Sequence, residues 1–79
     1  MEVKLFAILA EQLGDQVHLK VSEPITADKI KQAMVAQFPQ TMGVIKDSMV
    51  AVNQTFVTTE QFQAQQVNEI ALIPPVSGG

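Results

Sequence analysis

A two-layer α+β domain, with one main helix laid across one face of a mixed sheet, is predicted by three observations. Apolar residues alternate with polar ones near the start of the chain, at Val3 and Leu5 and again at Val17, Leu19 and Val21. Ile30, Met34 and Phe38 recur four apart, which makes one apolar helical stripe. A last apolar run, Glu69 to Ile73, is stopped by Pro74-Pro75. A single stripe on a single helix needs a sheet face to bury it, and 79 residues suffice for one such domain and not for two.

Taken in order, residues 2 to 5 predict a first strand that runs into a short helix from Ala7 to Leu13, ended by Gly14. Strict alternation from Gln16 to Val21 predicts a second, half-buried strand antiparallel to the first. Ser22-Glu23-Pro24 breaks it. Thr26 is the expected N-cap of the main helix, with Asp28 in its first turn, and Pro39 ends that helix by pushing Phe38 out of the α region. Residues 40–48 read as a connection containing Gly43. Met49 to Val52 follows as a buried strand, and Asn53-Gln54 as a tight turn into a short strand, Thr55 to Val57. Thr58-Thr59-Glu60 is expected to start another helical turn, and the glutamines at 61, 63, 65 and 66 to lie on a surface loop. The domain is expected to span residues 1–75, followed by a flexible tail, 76–79.

Composition excludes much chemistry. There is no cysteine, hence no disulfide and no thiolate nucleophile, and the single His18, on the polar face of a strand, cannot build a zinc site. Neither glycine-rich phosphate loop occurs, so a nucleotide would have to be bound by a partner. The acidic pairs Glu11/Asp15 and Glu23/Asp28 read as solvated turn charges, not as a general acid and base. The five basic residues are lysines scattered at 4, 20, 29, 31 and 46 in a chain of net charge −3, which argues against a nucleic-acid partner. Without a basic leader or an apolar run of membrane-spanning length, a cytoplasmic location is expected and a membrane partner is not.

Two features carry functional information. With Val3, Leu5, Val17, Leu19, Ile70 and Leu72 turned to the helix, alternation sends Phe6, Ala71 and Ile73 to the opposite face, beside Lys4, His18 and Lys20; Phe56 is placed to join them. Such a patch marks a partner surface, the alternative being that residues 40–48 cover Phe6. The second feature is the tail. Gly78 and Gly79 have no Cβ to obstruct a narrow channel or an attack on the terminal acyl carbon, and Pro74-Pro75 stiffens the exit from the last strand.

The run Glu69-Ile70-Ala71-Leu72-Ile73-Pro74-Pro75-Val76-Ser77-Gly78-Gly79 resembles the C-terminal signature of the small, sulfur-carrying subunits of molybdopterin synthase. Leu5-Phe6-Ala7 before the first helix, the Thr26-capped helix ending at Phe38-Pro39, and Ala51-Val52-Asn53-Gln54 extend the resemblance over the whole chain. It implies a ubiquitin-like β-grasp fold and a subunit that is not an enzyme on its own. The Gly79 carboxylate would be the reacting group, adenylated with ATP by a partner resembling the ubiquitin-activating enzymes and converted by a persulfide donor to a thiocarboxylate. The chain itself would bind no cofactor. Pro75, Val76, Ser77 and Gly78 would form the tail that inserts into the large subunit, and Phe6, Phe56, Ile73 and Pro74 would contact that subunit in a heterotetramer of two small and two large chains. The sulfur would go to the pterin precursor of the molybdenum cofactor.

The sequence departs from the family in two places. The first helix keeps Glu11 but lacks the arginine often found there, and Gln66-Val67-Asn68-Glu69 replaces a glycine-containing turn. A β-branched Val67 disfavours positive φ, so the expected left-handed residue is Asn68. The competing readings are a sulfur carrier of thiamin thiazole synthesis, a ubiquitin-like modifier joined to target lysines through Gly79, and a plain interaction module.

Overall fold

Alternation builds the first strand as expected: Val3 and Leu5 are buried while Glu2 and Lys4 face solvent in β1, Glu2–Leu5. The structure, a computed structural model, describes residues 1–75. After β1 come α1 (Ala7–Leu13), β2 (Gln16–His18), α2 (Ala27–Gln37), α3 (Met42–Ile45), β3 (Met49–Val52), β4 (Thr55–Val57) and β5 (Ile70–Ile73). The strands form one mixed sheet in the order β2-β1-β5-β3-β4. Only the central pair, β1 and β5, is parallel. Parallel neighbours need a crossover, and the chain between them supplies it with α2, which lies over the inner face.

The helix is set by its ends and its stripe. The Thr26 hydroxyl oxygen accepts from the Lys29 amide at 3.2 Å, Asp28 complements the positive end of the dipole, and Phe38 closes the last turn before Pro39. Ala27, Ile30 and Met34 are buried against Val3, Leu72 and their neighbours, and each large side chain so buried contributes about 1.5–3 kcal/mol. Gly14, at φ 93, ends α1 in a conformation that an L side chain rarely adopts. No helix among the described residues is long and apolar enough to cross a membrane.

Three segments differ from expectation. β2 stops at His18 because Glu2 lies opposite it and only Met1 remains beyond; the Leu19 amide still bonds the Met1 carbonyl at 2.8 Å, and Leu19 is fully buried. The connection after α2 is helical, a 3-10 turn over Pro39–Thr41 followed by α3. It carries Ile45 into the core, so its backbone and buried hydroxyls must be satisfied locally. The Thr41 hydroxyl donates to the Phe38 carbonyl at 2.7 Å and the Ser48 hydroxyl to that of Val44 at 2.8 Å. Finally, Thr58-Thr59-Glu60 does not start a helix, because the Glu60 carboxylate accepts from the Thr58 and Thr59 amides at 2.8 and 3.0 Å and closes a turn. Those amides hold the Glu60 carboxyl below its usual pKa. The helical turn lies later, over Ala64–Gln66, where Gln63 and Gln66 cap each other.

The β3–β4 turn has two residues, and both Asn53 (φ 52) and Gln54 (φ 69) are left-handed, which matches the right-handed twist of the strands it joins. Asn tolerates that region, whereas Gln adopts it at a cost of about 1 kcal/mol. Gln54→Gly is therefore expected to stabilise the domain by about 1 kcal/mol in urea unfolding. An unchanged or lower midpoint would contradict this account of the turn.

Candidate functional site

The outer face of the sheet, turned away from α2, is built by register. Lys4 lies opposite Ala71, Ala71 opposite Ala51, and Ala51 opposite Phe56, so one row runs across β1, β5, β3 and β4 with two small residues in its middle. In the next row Met49 lies opposite Ile73. The alanines make a floor, and Phe6, Phe56 and Ile73 rise around it to enclose a shallow dish of about 190 Å³. Phe6 is 46%, Met49 50% and Phe56 54% exposed. With Phe6 and Phe56 half in water around the alanine floor and Met49 exposed beside it, this face is an exposed apolar patch.

Phe6 is aimed by the joint it occupies. It is the N-cap residue of α1 in extended conformation (φ −134, ψ 160), its side chain makes no capping bond, and Ala7 after it takes φ 53. A left-handed alanine costs on the order of 1 kcal/mol, so the joint is strained next to the residue that most defines the dish. Residues 40–48 do not cover Phe6, which removes that alternative.

A polar rim bounds the dish at the end where β5 begins. The Lys4 ammonium donates to Glu69 Oε2 at 2.7 Å, and the Gln54 side-chain amide donates to Glu69 Oε1 at 3.3 Å. The Lys4 hydrogen bond, then that of Gln54, holds the Glu69 carboxyl below its usual pKa. The pair is solvated, so it orients charge at the rim more than it stabilises the fold.

Asn53 fixes where β5 begins. Its side-chain oxygen accepts from the Asn68 and Glu69 amides at 2.8 and 3.1 Å, its side-chain amide donates to the Gln66 carbonyl at 2.8 Å, and its backbone amide donates to the Glu69 carbonyl at 2.8 Å. This clamp replaces the expected left-handed Asn68: the left-handed non-glycine residues among those described are Ala7, Asn53 and Gln54, and Val67 keeps φ −99. Asn53 thus takes over the work of the missing glycine from across the sheet. A second tie, between Ile25 and Phe62, and the Glu23 carboxylate accepting from the Ala64 amide hold the long 58–69 loop to the body.

The fold brings together Phe6, Phe56 and Ile73, all expected on one face. Pro74, expected with them, is buried. Alternation accounts for this: Ile70, Leu72 and Pro74 share the inner side, while Ala71, Ile73 and Pro75 share the outer one, and Pro75 is exposed. Val76, Ser77, Gly78 and Gly79 lie outside the described residues. Sequence reasoning missed Met49, although alternation with buried Val50 and Val52 would have assigned it outward. It also missed the rim and the Asn53 clamp, which depend on cross-strand register. His18 is exposed, within 3.0 Å of the Met1 amine, and no group of metal-ligating side chains occurs among the described residues.

Comparison with known proteins places this geometry in a family context. Residues 3–79 match the ThiS family. The molybdopterin synthase sulfur carrier subunit of Dictyostelium discoideum is 32% identical over 82 residues, covering 99% of this chain and 94% of that one. The subunit of the same name from Arabidopsis thaliana is 34% identical over 80 residues, covering all of this chain and 82% of its own. Among solved structures, the crystal structure of SAMP1 from Haloferax volcanii superposes with a TM-score of 0.75 at 33% identity, covering 99% of this chain and 97% of that one.

Proposed function

The chain belongs to the ThiS family, with the ubiquitin-like β-grasp fold, and from that membership we propose that it is the sulfur carrier subunit of a molybdopterin synthase. The observation that carries this reading is near-full-length similarity to subunits of that name, with the family match running through residues 74–79, Pro74-Pro75-Val76-Ser77-Gly78-Gly79. The chain contributes no catalytic side chain of its own. It supplies a docking face and a carboxylate.

A carboxylate is a poor acyl donor, so an activating partner first joins the Gly79 carboxylate to AMP, releasing pyrophosphate from ATP. The terminal sulfur of a partner's persulfide then attacks the acyl carbon and AMP leaves. A thiol cleaves the acyl disulfide so formed, giving a thiocarboxylate on Gly79 and a disulfide on the donor side. With no cysteine in the chain, no side chain competes for the sulfur. The dish of Phe6, Phe56 and Ile73 docks on the large subunit, and Pro75 starts the tail that carries Gly79 into that subunit's site. There the thiocarboxylate gives its sulfur to the pterin precursor, in an assembly of two small and two large chains.

The reading is tested by mixing the thiocarboxylate form with the large subunit and the pterin precursor. Sulfur is expected to leave Gly79 and appear in the pterin product, returning a carboxylate. Persistence of the thiocarboxylate, or its consumption by protein lysines in isopeptide bonds, would overturn it.

A further inference from the structure

We propose that the cleft between α2 and α3 is a second docking surface, for an acidic partner segment that presents one bulky apolar side chain. The cleft holds about 390 Å³ and is lined by Val35, Ala36, Met42 and Ile45, with Lys31 and Lys46 on its margins. On α2, Ala36 lies on the side away from Ala27, Ile30 and Met34, which face the sheet, and Val35 lies on the flank, where it also packs against the core. The cleft and the dish of Phe6, Phe56 and Ile73 are thus separated by the helix layer and the sheet, and both can be filled at once. The inference does not depend on the function proposed for the dish.

Two observations specify the occupant. Met42 is 61% exposed over a floor made by the buried Ile45, and a flexible thioether on such a floor adapts to an inserted apolar group. Charge then selects what surrounds that group. The chain carries eight acidic residues against five lysines, yet no carboxylate lines the cleft and two of the lysines do. Asp28 and Asp47 stand near them in sequence, but the one ion pair among the described residues is Lys4 with Glu69, so Lys31 and Lys46 are left for a partner's carboxylates. The cationic margin favours an acidic segment, and its like charge opposes pairing of this cleft with the same cleft of a second copy.

The test uses the full chain, labelled with ¹⁵N, and two short blocked helical peptides. In one a leucine is flanked by glutamates a turn to either side, and in the other by lysines. The glutamate peptide is expected to shift the amides of residues 31–36 and 42–46, less so as salt is added. Lys31→Glu with Lys46→Glu should weaken that binding about tenfold and transfer the preference to the lysine peptide. Both lysines are outside the core and outside the ion pair found among the described residues, so the variant is expected to fold, which an unchanged thermal melt would show. Equal binding of the two peptides, shifts confined to the outer sheet face, absence of shifts at millimolar peptide, or shifts at the cleft on raising protein concentration alone would each overturn the proposal.

Discussion

Phe6→Asp is expected to weaken association with the large subunit roughly a hundredfold while leaving the isolated domain at least as stable as before. The two effects separate because of where Phe6 sits. On the proposed function this half-exposed wall of the dish would bury its aromatic ring against the large subunit, and a carboxylate there would be buried unpaired in the complex. In the free chain the same position is the N-cap of α1, in extended backbone, with no side chain now bonding the first-turn amides. Aspartate is among the best residues for that role and typically contributes on the order of 1 kcal/mol there. Calorimetric titration against the large subunit, beside a thermal melt of the variant, measures both. Unaltered affinity would remove the dish as the docking face. A charge at Ile73, across the floor of alanines, should act in the same direction.

Asn53→Ala is expected to cost about 2 kcal/mol, a large part of a margin on the order of 5–10 kcal/mol for a domain of this size. Alanine loses the oxygen that receives the Asn68 and Glu69 amides and the donor to Gln66, and it must also hold φ near 52 without the local bonding that lets asparagine do so. Asn53→Gly restores the backbone freedom but not the bonds, and Asn53→Asp keeps the accepting oxygen, so stability should fall in the order Asn, Asp, Gly, Ala. Urea unfolding of the series checks the order. If glycine costs as much as alanine, strain is not part of the effect; if alanine costs nothing, the turn at 66–69 is held by something other than Asn53. Because Asn53 sets where β5 starts, loosening it should also loosen Ile73.

What the sequence revealed and what it concealed divide along one physical line. Strong periodicity fixes local structure and facing: Ile30 and Met34 with the Thr26 cap gave α2, and the alternation through Val3 and Leu5 and through Ile70 and Leu72 assigned Phe6 and Ile73 to the outer face. The same rule, followed one step further, places Pro74 inward and Met49 outward. Two of the failures came where a feature belongs to two distant segments. The length of β2 depends on how much of β1 lies opposite it, and the shape of the 66–69 turn depends on a side chain thirteen residues away. Thr58-Thr59-Glu60 carries helix-starting residues, but a carboxylate that can reach two nearby amides makes a turn instead. The helical character of 39–45 was legible in Pro39, a favoured first residue of a helix, and in the apolar Ile45 that the segment has to bury.

The central claim concerns one atom, the terminal oxygen of Gly79 that becomes sulfur. Intact mass of the chain, purified without reductant from sulfur-replete cells beside a control lacking Gly79, reads that atom directly. The account predicts a population heavier by the replacement of one oxygen by sulfur and absent from the control. A free carboxylate throughout, with no such population even after incubation with an activating enzyme, ATP and a persulfide donor, would contradict it.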